Sequence, residues 1–481
     1  MEVGVLWLMP IFPSTTYHGY DVTDFRAINP DYGSMADFRT LIAEAHKRGV
    51  RVIIDLPVNH TSREHPWFVA AVNDAASPRR AFYRMTADGP LAPRWHRATG
   101  TSGTVRYFAL FSARMPDLMF DHPPVRDEVK AIAKFWLDAG VDGFRLDAAK
   151  HVYGDHFGEP FTADEVDRNN AWWQEFSRFV YAIRPQALLL GEVLGSVETM
   201  RRHAPGLNAL INDAFMNEVR SQLAEPRPGL MKALTRLNGG AAPFRPFHFI
   251  GSHDRNPRLA SDLEEAAWRR PGPDGDASFR LAMYLLFGLS AHPIWYAGDE
   301  VMQRGWKWRG NPSDHATDPG DGSRIFDETL REPFPWYRSG AGPGQTTWFT
   351  PRFDGPDDGV SREEQDVPDG MLRLFRALTN LRTRHPTLAN GEIGSVLADD
   401  ATWIGFERVA GAARYLLLIN RTSAGRDYRF HAGWHPRYRR AQLVFWSNGG
   451  ARTWSAVMPE ERSIEDAVFV PPYGLVVLRA R

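Results

Sequence analysis

Short apolar segments alternate with amphipathic helical segments along most of the 481 residues, and this alternation predicts an α/β fold built from repeated βα units. Acidic residues follow three of the apolar segments, at Asp147, Glu192 and Asp254. A carboxylate is costly to place beside a buried strand unless a site requires it. Strands whose ends each deliver a carboxylate are typical of a parallel barrel with its active site at the carboxyl ends. The sequence therefore predicts a (β/α)8-type TIM barrel.

Seven apolar segments are predicted as barrel strands, whereas a closed barrel of this type has eight. They are Val3–Leu8, Val52–Leu56, Gly143–Leu146, Leu188–Gly191, Ala209–Ile211, Phe247–Ile250 and Pro293–Tyr296. Either the eighth strand is hidden in a segment without a clear pattern, or the first βα unit is absent from this sequence. We favour its absence, which predicts an incomplete barrel with an open sheet edge that must be covered or paired.

Helices are predicted where apolar residues recur at intervals of three and four. The segments with this pattern are Asp37–Arg48, Pro123–Ala139, Asn170–Ile183, Ser278–Leu289 and Met371–Arg384. The last of them ends before His385 and Pro386, because a proline cannot continue a helix from the preceding turn.

The chain divides into three predicted units. Residues 1–60 and 122–390 form the catalytic barrel, and the proline-rich, irregular residues 61–121 form a small inserted domain. Alternating strands separated by turn residues predict an all-β sandwich domain over residues 391–481; examples are Arg414–Ile419, Gln442–Trp446 and Leu475–Leu478. Residues 305–368 are rich in Gly, Pro, Asp and Trp, which predicts a long ordered loop over the barrel mouth.

Bulk composition narrows the classes of function. A net charge of −1 provides no field that favours nucleic acid or an anionic membrane, so neither is expected as a partner. The absence of Cys excludes disulfides, thiolate metal sites and a Cys nucleophile. The 16 Trp residues suit stacking on the apolar faces of sugar rings, although core packing explains any single Trp at least as well.

Localisation is left open by the sequence. No run of about 18 apolar residues occurs, so no transmembrane helix is expected. The first ten residues lack a basic start and a cleavage site of small residues, so no signal peptide is recognised. If the start of the chain has been lost, an export signal was lost with it, and both a cytoplasmic and a secreted protein fit.

Four ordered blocks carry the functional pattern: Asp55-Leu-Pro-Val-Asn-His60, Gly143-Phe-Arg-Leu-Asp-Ala-Ala-Lys-His151, Gly191-Glu-Val193 and Phe249-Ile-Gly-Ser-His-Asp254. In this order and spacing they resemble the signature regions of the α-amylase family, glycoside hydrolase family 13. Met115–Leu118 and Tyr296–Glu300 resemble further blocks of that family, so the resemblance covers essentially the whole chain. Ser252 stands where the family usually has Asn, and the Gly-Ser pair at 251–252 resembles the sequence of neopullulanase-like members at this point.

The resemblance implies that Asp147 is the nucleophile that forms a covalent glycosyl-enzyme, Glu192 the general acid and base, and Asp254 the stabiliser of the transition state. Arg145 lies two positions before Asp147 on the same face of a strand, and a guanidinium favours the ionised form of a neighbouring carboxylate. The apolar residues before Glu192 disfavour its charged form, which suits a proton donor. We expect the side-chain oxygens of Asp147 and Glu192 to lie about 5–5.5 Å apart, as in retaining glycosidases.

Six further residues are implied to bind substrate: Tyr20, His60, Arg145, Lys150, His151 and His253. By the resemblance, an aromatic ring at Tyr20 stacks on the sugar that is cleaved. The two histidines His60 and His253 donate to its hydroxyls, and Lys150 with His151 contacts the leaving side of the glucan. Asp55 is expected to be a partner of Arg145 and not a catalyst.

No cofactor is required for the chemistry that the resemblance implies, and calcium is left open. Asn59 matches a calcium ligand of many α-amylases. No carboxylate cluster with a convincing loop spacing accompanies it in the inserted segment.

The substrate expectation depends on one position. Exo-acting α-glucosidases of the family commonly carry an acidic residue where Tyr17 stands, and Tyr17 resembles the pattern of endo-acting amylases. The sequence is therefore interpreted as a retaining hydrolase of α-1,4-glucosidic bonds in starch or maltooligosaccharides. The alternatives are a transglycosylase or an α-glucosidase on short maltooligosaccharides and, in another class, a carbohydrate-binding homologue whose catalysis is impaired by the missing barrel strand. The oligomeric state is left open.

Overall fold

The computed structural model describes residues 2–86, 93–154, 161–237, 244–269, 275–307, 327–347, 349–430, 435–447 and 467–480. The predicted loop 305–368 therefore lies partly outside the described residues. No helix in the described part of the chain is long and apolar enough to cross a membrane.

The described residues form seventeen strands and thirteen α-helices. The strands are β1 (Val5–Leu8), β2 (Arg51–Leu56), β3 (Met85–Thr86), β4 (Trp95–Gly100), β5 (Gly103–Phe108), β6 (Gly143–Leu146), β7 (Leu188–Gly191), β8 (Ala209–Asn212), β9 (Arg245–His248), β10 (His292–Pro293), β11 (Glu392–Asp399), β12 (Trp403–Ala410), β13 (Ala413–Asn420), β14 (Arg426–Arg429), β15 (Gln442–Trp446), β16 (Ala467–Val470) and β17 (Leu475–Arg479). The helices are α1 (Met35–Lys47), α2 (Pro66–Asn73), α3 (Pro123–Asp138), α4 (Ala163–Ile183), α5 (Val197–His203), α6 (Asp213–Ala224), α7 (Leu230–Leu237), α8 (Leu259–Arg269), α9 (Gly275–Leu289), α10 (Arg362–Gln365), α11 (Met371–Arg384), α12 (Pro386–Asn390) and α13 (His435–Tyr438).

A curled parallel sheet of seven strands is the centre of the described structure, in the order β1-β2-β6-β7-β8-β9-β10. Helices connect successive strands, as parallel pairing requires. Within the described residues β1 pairs only with β2, and β10 only with β9, so this sheet is an open barrel. The predicted fold class, an incomplete (β/α)8-type barrel, is confirmed. At the open edge Val5 and Leu6 are 43% and 37% exposed, which is unusual for apolar strand residues.

Six of the seven strand predictions agree with the sheet to within two residues at each end. Of these, β9 is shifted by two residues and ends at His248 and not at Ile250. The seventh differs more, because β10 covers only His292 and Pro293. Beyond these short pairings the apolar residues continue into loops that lead to the candidate site. Phe249 and Ile250, just beyond β9, are 6% and 1% exposed, so burial explains their apolar character without strand pairing.

Helix α4 begins seven residues earlier than predicted. Thr162 caps its first turn by accepting from the backbone N–H of Glu165, and the Glu165 side chain accepts from Thr162 in return. Such a capping box fixes a helix start independently of the apolar pattern. Helix α11, in contrast, has the predicted bounds Met371–Arg384, because its apolar stripe and the following His385-Pro386 both mark it.

The inserted segment contains α2 and a small antiparallel sheet in the order β3-β5-β4. After α12 the structure is antiparallel, with a five-stranded sheet β11-β12-β13-β17-β15 and a two-stranded sheet β14-β16. These sheets confirm an all-β part at the carboxyl end, as the fold class predicts. The exact bounds 61–121 and 391–481 stay predictions.

The all-β part packs directly on the barrel. Phe406 and Leu417 share an apolar cluster with α9 and α11, and Gly288 of α9 allows the close approach, since a Cβ there would lie 3.0 Å from Leu417. Arg408 crosses this contact and donates to the carbonyls of Leu289 and Ala389 at 2.7 and 3.2 Å. Burial lowers the pKa of Arg408 to about 10. The arginine thereby binds carbonyls at the ends of two barrel helices.

Candidate active site

The register of the parallel sheet brings the predicted catalytic carboxylates together. Leu146 of β6 pairs with Gly191 of β7, so Asp147 and Glu192 are the next residues on two neighbouring strands. Neighbouring strands lie about 4.8 Å apart. The ladder continues past the strand ends, because the N–H of Glu192 donates to the carbonyl of Leu146 at 3.0 Å. The two carboxylates are therefore held side by side by backbone hydrogen bonds.

Arg145 is the centre of the site, with a side chain that is 1% exposed. Its Nη1 lies 2.9 Å from Oδ1 of Asp55 and 2.5 Å from Oδ1 of Asp147. Its Nη2 lies 2.9 Å from Oε1 of Glu192. One guanidinium therefore contacts three carboxylates, each from the end of a different neighbouring strand. Such an arrangement fixes the carboxylates relative to one another, because the planar guanidinium has rigid donor directions.

Burial dominates the ionisation of Asp147. It raises the pKa of Asp147 well above its usual range, and the nearby Glu192, Asp55 and Asp254 act in the same direction, whereas Arg145 opposes the rise. The sequence analysis expected the guanidinium to favour the ionised form. Arg145 acts in that direction, but it is shared among several carboxylates and burial has the larger effect on the pKa of Asp147.

Glu192 has polar partners that the apolar residues before it in the sequence did not indicate. Besides the contact with Arg145, its Oε2 accepts from the backbone N–H of Ala148 at 2.9 Å. Ala148 has a φ of +47°, a left-handed conformation that costs about 1–2 kcal/mol for a residue with a Cβ. Strained backbone of this kind persists only where the surroundings hold it, and here it directs an N–H at the candidate general acid.

Asp254 lies in a different environment from Asp147. Its side chain is about half exposed, with Oδ2 2.9 Å from Nε2 of His253 and Oδ1 3.0 Å from Nη2 of Arg331. Partial burial raises its pKa, but the contacts with His253 and Arg331 outweigh this and lower the pKa of Asp254 below the usual range. Asp254 is therefore a charged carboxylate at the rim of the site.

Tyr20 and His253 connect Asp55 on one side of the site with Asp254 on the other. The Tyr20 hydroxyl lies 2.8 Å from Nε2 of His253 and donates to Asp55 at 3.2 Å. Trp7 of β1 completes the group, with its ring edge-on to His253 at 5.8 Å and beneath the Arg145 guanidinium at 5.2 Å. The sequence analysis did not select Trp7. Its position on a predicted strand, two residues below the level of Asp55 in the adjacent strand, could have indicated that it lies under the site.

His60, Lys150 and His151 lie on the side of the inserted segment. His60 follows β2, is buried, and has a pKa lowered to about 4 by that burial. The rings of His60 and His151 both contact Phe111, at 5.5 and 5.7 Å. Lys150 donates to the carbonyl of Leu194 at 2.7 Å. The structure thus brings the two histidines to one aromatic ring of the inserted segment.

Arg331 and Asp327 belong to the site and were missed from the sequence. Nη2 of Arg331 binds Asp254 and also Oδ2 of Asp327 at 3.1 Å. The Tyr17 hydroxyl donates to the other carboxylate oxygen of Asp327. We name the three residues Tyr17, Asp327 and Arg331 the clasp. No strand or helix pattern precedes Asp327, so only the density of aromatic and acidic residues in the predicted loop could have indicated it.

The residues around Asn59 do not fit a calcium site. The described part of the chain contains no group of three or more acidic, His or Cys side chains that could hold a metal ion. Calcium takes six to eight oxygen ligands, carboxylates above all. Asn59 itself is buried, and its backbone carbonyl accepts from the backbone N–H of Leu118 at 2.9 Å. No step of the chemistry is therefore assigned to a metal.

Comparison with known proteins gives a consistent result. The family model "Alpha amylase, catalytic domain" matches residues 1–391. "Alpha-amylase 3" of Dictyoglomus thermophilum is 34% identical over 90% of this chain and 80% of its own length. A "4-alpha-glucanotransferase" of Thermotoga maritima is 28% identical over 83% of each chain. The crystal structure of an alpha-amylase from H. orenii superposes with a TM-score of 0.80 at 29% identity, covering 99% of this chain and 90% of the other.

Proposed function

The chain belongs to the α-amylase family and is a glycosidase, and we propose that it hydrolyses α-1,4-glucosidic bonds in starch or maltooligosaccharides with retention of configuration. The observation that carries the proposal is the pair of carboxylates at matched register on β6 and β7, both bound to Arg145. A backbone separation of about 4.8 Å suits the roughly 5–5.5 Å between the carboxyl groups of retaining enzymes. The side-chain separation in the presence of substrate stays a prediction.

The proposed reaction has two displacements. In the first, a carboxylate oxygen of Asp147 bonds to the anomeric carbon while Glu192 gives its proton to the glycosidic oxygen that leaves. In the second, the Glu192 carboxylate takes a proton from water, and the water oxygen bonds to the anomeric carbon as the ester to Asp147 breaks. The backbone N–H of Ala148 and the guanidinium of Arg145 hold Glu192 in place through both steps.

The charge of the site suits a cationic transition state. Among the described residues, the site contains five carboxylates and two guanidiniums: Asp55, Asp147, Glu192, Asp254 and Asp327 with Arg145 and Arg331. Negative charge fixed in advance stabilises a developing oxocarbenium ion without reorganisation during the reaction. Because its pKa is lowered, Asp254 supplies this charge even in mildly acidic solution.

Substrate-binding roles are proposed for the residues around these carboxylates. Tyr20 offers its ring to the sugar that is cleaved, and its neighbour His253 donates to a hydroxyl of that sugar. His60, Lys150 and His151, on the side of the inserted segment, would contact the sugar on the leaving side. Phe111 links this wall to the inserted segment.

The clasp favours a second candidate function, an α-glucosidase that acts on chain ends. An exo-acting enzyme needs a closed end beyond the terminal sugar, and the sequence analysis found no acidic residue at Tyr17 for this purpose. The contacts of Asp327 support this candidate, because its buried carboxylate is bound to Tyr17 and Arg331 and could serve the same purpose. Transfer to a sugar, the activity named for the Thermotoga relative, would use the same covalent intermediate.

Product analysis tests the proposal. The purified protein is incubated with soluble starch and with maltoheptaose, products are separated by chromatography, and the anomer released first is identified by NMR. We expect the α-anomer, and a loss of activity of about a thousandfold or more in Asp147→Asn and Glu192→Gln. Internal fragments indicate the endo-acting enzyme, glucose alone the exo-acting one, and longer products transfer. First release of the β-anomer, or no cleavage by a folded protein, would contradict the proposal.

A further inference from the structure

One buried side chain, Arg220 of α6, closes the loop that follows β9. We name residues 250–257, which carry His253 and Asp254, the β9 loop. Nη1 of Arg220 donates to the carbonyl of Ile250, the first residue of this loop, at 3.3 Å, and Nη2 donates to the carbonyl of its last residue at 3.0 Å. Both ends of the loop therefore meet at a single guanidinium.

The guanidinium of Arg220 is itself held in one orientation. Asp262, in the first turn of α8, accepts from its Nε at 3.0 Å and from its Nη2 at 2.5 Å. The Arg220 side chain is 5% exposed, and burial lowers its pKa, whereas Asp262 opposes the fall. A guanidinium is planar and has fixed donor directions. Binding Asp262 along one edge therefore aims the remaining N–H groups at the two loop carbonyls.

The β9 loop is also ordered between its ends. The Oγ of Ser252 accepts from the backbone N–H groups of Asp254 at 3.3 Å and of Arg255 at 3.2 Å. Such a hydroxyl-to-backbone turn restricts the chain locally. A shift at either end of the loop would therefore be transmitted to His253 and Asp254 and not absorbed between the ends.

Stability alone is a weak reason for a buried ion pair between Arg220 and Asp262. The cost of removing two charges from water offsets much of their attraction, and apolar side chains of similar volume often stabilise a protein as well or better. Apolar packing, however, has no direction, whereas two N–H groups of one planar guanidinium bind two carbonyls at set angles. The contacts of Arg220 therefore define the geometry of the loop.

We propose that Arg220 is a positioning residue for catalysis, which holds the β9 loop so that His253 and Asp254 meet the sugar ring that is cleaved. The proposal rests on the proposed function, in which Asp254 opposes the charge of the transition state. Arg220 acts through Asp254 and not on the substrate. Its loss should therefore lower kcat much more than it raises KM.

A double-mutant cycle between Arg220 and Asp254 measures this role, with an aryl α-maltotrioside whose activated leaving group keeps slow variants measurable. Arg220→Met should lower kcat about 10- to 100-fold, the range for a misplaced catalytic group. In the Asp254→Asn background the same substitution should lower kcat by less than about threefold, because the group that Arg220 positions has already lost its charge. A residue that only stabilises the fold gives equal factors in both backgrounds. Each kcat is taken per folded molecule, with the folded fraction read from circular dichroism.

Two comparison variants accompany the cycle. Arg220→Lys keeps the charge, but a compact ammonium cannot bind both loop carbonyls in the same geometry, so kcat should fall in the same direction and by less. It replaces Arg220→Met in the cycle if the methionine variant does not fold. The matched control is Arg408→Met, because Arg408 is also buried and donates to two carbonyls, those of Leu289 and Ala389. It should leave kcat per folded molecule unchanged.

Three results would overturn the positioning role: equal factors in the two backgrounds, an equal fall of kcat in Arg408→Met, or an unchanged kcat in both Arg220 variants. A wild-type protein that cleaves no glucan would refute the proposed function instead. The hold on the β9 loop is then tested alone by hydrogen exchange with mass spectrometry. Amides of the loop should exchange at least about threefold faster in Arg220→Met than in the wild type and in Arg408→Met; equal exchange in all three counts against the hold.

Discussion

Replacing Arg145 with methionine should destabilise the protein more strongly at pH 8 than at pH 5. The guanidinium is almost completely buried and contacts Asp55, Asp147 and Glu192 at 2.5–2.9 Å. Methionine keeps an apolar stem of similar length but removes the cation. Three carboxylates then lose the positive charge that they share.

The magnitude follows from the cost of an uncompensated buried charge. Removing one partner of a buried ion pair costs about 3–5 kcal/mol. A carboxyl group can avoid part of this cost by taking up a proton. Burial already raises the pKa of Asp55 and of Asp147, and the loss of Arg145 raises both further. For a carboxyl with a raised folded-state pKa, stability is retained below the unfolded pKa and is lost as the pH rises through the folded pKa.

Urea unfolding followed by tryptophan fluorescence measures the effect. We expect R145M to lower the free energy of unfolding by about 3–5 kcal/mol at pH 8 and by clearly less at pH 5. Arg26→Met is the matched control, because it breaks the partly exposed pair of Arg26 with Glu128 at 2.8 Å and should cost less than about 1 kcal/mol at both pH values. An R145M loss below about 1 kcal/mol, or one that is equal at the two pH values, would refute the reasoning.

Three further outcomes are expected. First, the proposed nucleophile Asp147 must attack in its ionised form, and its pKa is raised. A pH profile of kcat/KM should therefore lose activity as the pH falls, with the acid limb above the ordinary aspartate value of about 4; a limb below it contradicts this assignment. Second, Arg408→Met removes the donor from the buried carbonyl of Leu289 and the partly buried carbonyl of Ala389. It should lower the free energy of unfolding by about 2–4 kcal/mol in a denaturant titration; no measurable loss would mean that water replaces the guanidinium. Third, Asp327→Asn weakens the clasp and should increase internal cleavage of starch, measured as the loss of iodine staining per reducing end released. Asp357→Asn, at an exposed position of the same loop, should not increase it. Identical cleavage profiles of the two variants would show that the clasp does not close the cleft.

The site residues at the ends of the barrel strands were predictable from the sequence, because each lies in or directly after a short buried segment. Asp147 and Glu192 each stand one position after a strand, and register alone places them side by side. Arg145 lies on the same face as Asp147, two residues earlier. For these residues the period of the apolar pattern and the parallel sheet contain enough information.

The rest depends on contacts that no local pattern encodes. Arg331 is 77 residues beyond Asp254, and the contact between them exists because a long loop returns to the barrel mouth. The start of α4 was missed although the spacing of Thr162 and Glu165 is a capping-box signal. The raised pKa of Asp147 could not be inferred from its pairing with Arg145 and Asp55, because it depends on burial and on the additional contact of the guanidinium with Glu192.

The proposed chemistry and the proposed selection of substrate depend on different kinds of structure. Asp147 and Glu192 are fixed by a hydrogen-bonded ladder between buried strands, so we expect a change there to remove activity on every substrate. Asp327 and Arg331 lie in the long loop that returns to the barrel mouth, where Arg331 contacts Asp254 at 3.0 Å. Loops tolerate substitution better than buried strands. Changes at Asp327 should therefore alter the balance of internal and terminal cleavage without loss of the pair of carboxylates on β6 and β7.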